Sequence, residues 1–104
     1  MAQINVLYYC VGEGEPKTVS VSNSLRPLQK LVGGYIESIR LFDNVDLICN
    51  EWGKFDKLAA NRIVGDDIVY GNFFVTAQNN LGAFINLTAE QTERVKQLME
   101  EGRL

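Results

Sequence analysis

The 104-residue sequence contains no histidine. Serine–histidine and cysteine–histidine catalysis both need an imidazole base, so neither is open to this chain. Zinc sites that combine histidine with cysteine or carboxylate are excluded on the same ground. Cysteine is scarce too: Cys10 and Cys49 are too few for a four-thiolate site and lie far apart in the chain. Each sits in an apolar, strand-like run, which points to two buried reduced thiols rather than a redox or disulfide pair. No apolar run is long enough to cross a bilayer. The opening Met1-Ala2-Gln3-Ile4-Asn5 has no basic region, so no secretion signal is expected, and the Asn86-Leu87-Thr88 sequon carries no weight without one. Basic residues are thin as well. None occurs between Arg62 and Arg94, and the net charge is -3, which argues against nucleic acid as a partner. That charge is too small to suggest a DNA mimic and reads as a solubility feature.

The sequence does hold the makings of one globular domain. Hydrophobic residues are 46% of the chain and charged residues 22%, an ordinary balance for a single modest core. Ile4, Val6, Tyr8 and Cys10 alternate with Asn5, Leu7 and Tyr9, a strand pattern. Gly12-Glu13-Gly14-Glu15-Pro16 is a turn, and Thr18–Val21 alternates again, so residues 3–21 predict a hairpin. The glycines here are no phosphate cradle, because Glu13 and Glu15 would repel an anion and the fingerprint spacing is missing. Ser24 can cap a short helix that carries Pro27 in its first turn and a Leu25/Leu28/Leu31/Val32 stripe. Gly33 and Gly34 end it.

Tyr35–Phe42 and Val45–Cys49 predict two more strands around an Asp43-Asn44 turn. Glu51-Trp52-Gly53-Lys54 is a tight turn, with Gly53 able to take positive φ. Phe55–Ala60 reads as irregular or briefly helical, and Asn61-Arg62 and Gly65-Asp66-Asp67 as punctuation. Ile68–Ala77 is apolar on both faces and predicts one central strand. Asn79–Gly82 turns into a returning strand over 83–87. Thr88 and Gln91 fit a capping box that opens the last helix, with Val95, Leu98 and Met99 as its stripe. Glu100 and Glu101 oppose the helix dipole, so fraying is expected at that end. The sum is a single α+β domain over residues 1–104, with an antiparallel or mixed sheet of about six strands, two helices and a short helical turn.

Several runs occur together in order: Leu28–Glu37 (LQKLVGGYIE), Asn50-Glu51-Trp52-Gly53-Lys54, Asn61-Arg62, Asp67–Phe74 (DIVYGNFF) and Asn86–Gln91 (NLTAEQ). As a set they resemble a family of small proteins defined only as a domain of unknown function, whose members occur in phages, plasmids and conjugative transposons. The resemblance covers nearly the whole chain. It implies a mobile-element origin and a place in the cytoplasm of a bacterial host, and it implies no reaction. Trp52 stands where the family pattern leads one to expect a small or acidic residue, so this turn is expected to be specialised.

The polar residues Glu37, Asn50, Glu51, Lys54, Asn61, Arg62, Asp66 and Asp67 supply the candidate chemistry. Asp66 and Asp67 could hold a hard cation with Glu51, but aspartates after a glycine more simply stabilise a turn. Asn50 and Asn61 flank turns and can bond the backbone. The Arg62 fork suits an oxyanion, with Lys54 near it in sequence and aromatic rings for a base to stack on. Tyr70, Phe73 and Phe74 belong to the expected core. Trp52, at a turn tip, is either an exposed binding anchor or a ring folded back on the sheet, and the sequence leaves both open. Glu37, a carboxylate on an apolar strand face, needs a partner, and Arg62 is the expected one, in a buried pair.

These readings favour a binding protein over an enzyme. Trp52, Glu51 and Lys54 are the expected partner-binding residues, and Arg62 and Asp67 the candidates for a small ligand. A host protein, with a defence factor as the favoured kind, is the expected partner, with neither nucleic acid nor a membrane involved and self-association left open. No cofactor and no metal are expected. The alternative is a protein that binds, sequesters or cleaves a phosphorylated, nucleotide-like small molecule through Arg62, Lys54 and an aromatic ring.

Overall fold

A computed structural model describes residues 2–104. Eight strands and two helices follow in the order β1 (Gln3–Tyr9), β2 (Lys17–Ser22), α1 (Leu25–Val32), β3 (Ile36–Phe42), β4 (Val45–Asn50), β5 (Ala60–Val64), β6 (Asp67–Tyr70), β7 (Phe73–Gln78), β8 (Phe84–Ile85) and α2 (Ala89–Glu101). The main sheet has six strands in the order β2-β1-β7-β4-β3, with the short β8 also paired to β7. Strands β5 and β6 form a separate two-stranded sheet. All strand pairings are antiparallel. This is the α+β class expected from the sequence.

The two faces of the main sheet carry separate cores, as alternation along its strands requires. Ile4, Val6, Ile48 and Phe74 meet Leu28 and Val32 of α1 on one face. Leu7, Tyr9, Val45, Leu47, Cys49, Phe73 and Val75 meet Val95 and Met99 of α2 on the other, where Val69 of β6 joins them. The central strands β4 and β7 are therefore buried on both sides, which explains their mostly apolar character, and the buried polar residues among them, Asp46, Asn50 and Thr76, are hydrogen-bonded to Arg40, Val32 O and Ile85 O.

Local signals place the helix ends. Thr88 Oγ1 accepts the Gln91 N–H at 3.1 Å, and Gln91 Oε1 accepts the Thr88 N–H at 2.9 Å, completing the capping box. Gly33 takes the left-handed conformation (φ 77°) that closes α1. Ser24 occupies the N-cap position of α1 without capping it, its hydroxyl lying 3.3 Å from that of Ser22 instead.

Three expectations are corrected. The run 68–77 is not one strand, because Gly71 at φ 82° breaks it into β6 and β7. Asn61 and Arg62 are not punctuation but the buried middle of β5. The acidic end of α2 is tied down rather than frayed, since Gly102 O accepts the Ile63 N–H at 2.7 Å and Met99 O accepts Arg62 Nε at 2.9 Å.

Candidate functional site

The segment between β4 and β5 folds as a short helical turn. Asp56 N–H donates to Trp52 O at 2.7 Å and Leu58 N–H to Gly53 O at 2.9 Å. Lys57, at φ 59°, ends it. The turn is fixed at its root by Asn50, a buried residue at the end of β4. Asn50 Oδ1 accepts the Trp52 N–H at 2.8 Å, while its Nδ2 donates to Val32 O at the end of α1. One side chain thus anchors both the turn and the helix. Gly53 allows the turn to lie against β6, because a Cβ there would come within 2.9 Å of Tyr70 O.

Of the two arrangements left open for Trp52, the exposed one is found. Its side chain is 51% exposed and that of Phe55 is 80% exposed. Their rings meet edge to face with centroids 6.2 Å apart. Tyr35, whose carbonyl accepts the Glu51 N–H at 2.8 Å, is exposed as well. Two adjacent aromatic rings left in water on a hydrogen-bonded turn form an apolar projection, the type of group that anchors interfaces. Glu51 and Lys54 are exposed on the same turn.

Beneath the turn lies a cleft of about 230 Å³ whose lining includes Glu37, Cys49, Glu51, Lys54, Asp67 and Tyr70. It gathers most of the polar residues singled out in the sequence. Among the described residues, none of these carboxylates lies in an ion pair, and no group of three His, Cys, Asp or Glu side chains is placed to hold a metal ion. Asp67 serves its own turn, with Oδ1 accepting the Ile68 N–H at 2.8 Å. Cys49 is a free thiol pushed up to about 11, first by burial and then by the charges of Glu37 and Asp67. It is therefore a thiol rather than a thiolate near neutral pH, and a poor nucleophile. Cys10 is also free and is raised by burial and by Glu13.

Arg62 is not at this cleft. The expected pair with Glu37 does not form: Glu37 is exposed on β3 opposite Cys49, while Arg62 is buried at 4% exposure. The Arg62 guanidinium instead binds carbonyl and amide oxygens. Nε donates to Met99 O at 2.9 Å, Nη1 to Asn61 O and Oδ1 at 3.0 Å each, and Nη2 to Gly14 O at 2.8 Å. Asn61 in turn donates to Tyr9 O and Gly71 O. Lys54 and Asp67 line one cleft and Arg62 another, so a shared ligand site for the three is not assembled. Sequence reasoning missed Phe55, whose position three residues after Trp52 in a helical turn was the available signal.

Residues 4–100 match a family described as a domain of unknown function (DUF3846), and the chain belongs to that family. Neither the curated proteins nor the solved structures yield a match.

Proposed function

We propose that this protein is a non-enzymatic binding domain of a phage or related mobile element, and that it acts by occupying the surface of a host protein, a defence factor being the favoured class. The observation that carries the reading is the exposed Trp52–Phe55 pair on a turn rooted by Asn50. Ordered turns with large exposed apolar groups lower the cost of binding, because little freedom is lost when the partner docks. Glu51 and Lys54 supply polar contacts at the rim of the same surface, where charges steer and orient partners more than they hold them. The mobile-element setting rests on the resemblance of the ordered sequence runs. The lack of an imidazole base and the raised pKa of Cys49 support binding rather than nucleophilic turnover.

The reading is tested by capture from a bacterial lysate on immobilised wild-type protein, run in parallel with Trp52→Ala, Phe55→Ala and Leu81→Ala. Leu81 is 92% exposed on the 79–82 turn and serves as an apolar surface control. The expected result is a host protein retained by wild type and Leu81→Ala but lost from the two aromatic variants. Truncating such an anchor typically costs about 2–4 kcal/mol, on the order of 30- to 1,000-fold in Kd. Equal retention by all four proteins, or by none, contradicts the proposal.

A further inference from the structure

Arg62 carries a buried charge with no acid against it. Four of its five N–H groups are taken by the neutral oxygens of Met99, Asn61 and Gly14. The ring of Tyr9 also lies against it, with the guanidinium carbon 5.2 Å from the centroid. Tyr9 does not neutralise it, since burial holds the phenol protonated, pushed up to about 12 despite the nearby Arg62. A buried ion without a counter-ion is costly, and proteins ordinarily pair it.

A second guanidinium converges on the same place. The main chains of Arg62 and Arg103 form an isolated antiparallel bridge. The Arg103 side chain lies against Gly14, the residue whose carbonyl receives Arg62 Nη2, so closely that a Cβ on Gly14 would overlap Arg103 Nη2. Two cations brought to one glycine repel each other unless anions offset them. The acids nearby offset only part of this charge. Glu100 binds Arg103 at 2.9 Å, and Glu13 binds Lys17 at 3.4 Å. Glu15 is exposed and in no ion pair among the described residues, yet it does not touch either guanidinium within 4.0 Å. Both arginines border a cleft of about 430 Å³ that is also lined by Gly12, Glu13, Gly14 and Asn61. Of the two acids that the sequence sets against an anion at these glycines, Glu13 is engaged by Lys17 and Glu15 does not line the cleft. That volume is within the range of small-molecule sites.

We propose that this cleft binds the oxyanion group, phosphate or carboxylate, of a small molecule, with Arg62 as the fixed charge and Arg103 as the fork that grips it. Guanidinium suits this task because its parallel N–H groups match two oxygens of such an anion. None of these residues belongs to the Trp52 turn or its cleft, so the proposal stands apart from the partner-binding reading.

The test is thermal unfolding of the whole protein at neutral pH in sodium phosphate, sodium acetate and sodium chloride at matched ionic strength. A ligand that binds only the folded state raises Tm with its concentration. The expected result is a saturable rise of several degrees in phosphate, acetate or both, over that in chloride. The anion that acts identifies the head group as phosphate or carboxylate. The rise should vanish in Arg103→Gln and persist, weakened, in Arg103→Lys. These variants leave the hydrogen bonds of buried Arg62 in place, and the Tm of each in chloride checks that the fold is kept. Equal Tm in the three salts, or an undiminished rise in Arg103→Gln, would overturn the proposal.

Discussion

Trp52 is the sole tryptophan of the chain, so its fluorescence reports on one place. With half its surface in water, it should emit near the wavelength of free indole and be readily quenched by iodide. Trp52→Ala removes one edge-to-face contact and the buried half of the side chain, and should cost no more than about 2 kcal/mol of unfolding free energy in chemical denaturation. A larger loss would mean that the ring supports the fold. Arg62 is the opposite case. Arg62→Met strands the Met99, Asn61 and Gly14 acceptors and should cost about 3 kcal/mol or more. In a double-mutant cycle with Glu37→Gln the two effects should add, because the side chains do not meet; coupling above about 0.5 kcal/mol would contradict the structure. The place of Trp52 at a turn was legible, while its exposure was left open against a ring folded back on the sheet and is decided only by the structure. The surroundings of Arg62 were not legible, because beside its neighbour Asn61 its partners are backbone carbonyls of two distant segments, at Gly14 and Met99, and a carbonyl has no signature in sequence.

At the scale of elements, capping and turn chemistry were legible because they act within a few residues. Thr88 and Gln91, or Gly33 at the end of α1, need only their neighbours to settle their geometry. The hairpin of β5 and β6 was not legible. Its buried Asn61 and Arg62 break the apolar alternation by which strands are recognised, and their burial is made tolerable by contacts with β1, Gly71, α2 and the 12–14 loop. The same hairpin holds the end of α2 through Ile63 and Gly102. A Cβ on Gly102 would overlap Ile63 O, so Gly102→Ala should push α2 away from β5. We expect a loss of about 1–3 kcal/mol and faster amide exchange in residues 60–64. Unchanged exchange would show that the helix end is not pinned there.

Over the whole molecule, the six-stranded sheet separates two cores, and the one beneath α2 contains both Cys49 and Tyr9. Each has its pKa raised on folding, from 9.0 to about 11 for Cys49 and from 10.0 to about 12 for Tyr9. The unfolded chain therefore loses these protons first. Their contribution to stability is complete below pH 9 and is lost as pH rises through 9–12. Tm should accordingly fall across that window, and Cys49→Ser should remove the lower part of the fall; a flat profile to pH 11 would show that the thiol is not buried. The sheet and its two covering helices were legible because hydrophobic periodicity records which faces are covered. The proposed binding surface had no such signal beyond a tryptophan at a turn, because recognition depends on a partner whose surface leaves no periodicity in this chain.

The most direct measurement is the emission of Trp52 when the host protein captured by wild type is added, read with a partner whose own tryptophans are replaced or subtracted. Burial of the ring at the interface should shift the emission to shorter wavelength and protect it from iodide. Binding that leaves both the wavelength and the quenching of Trp52 unchanged would contradict the assignment of this turn as the binding surface.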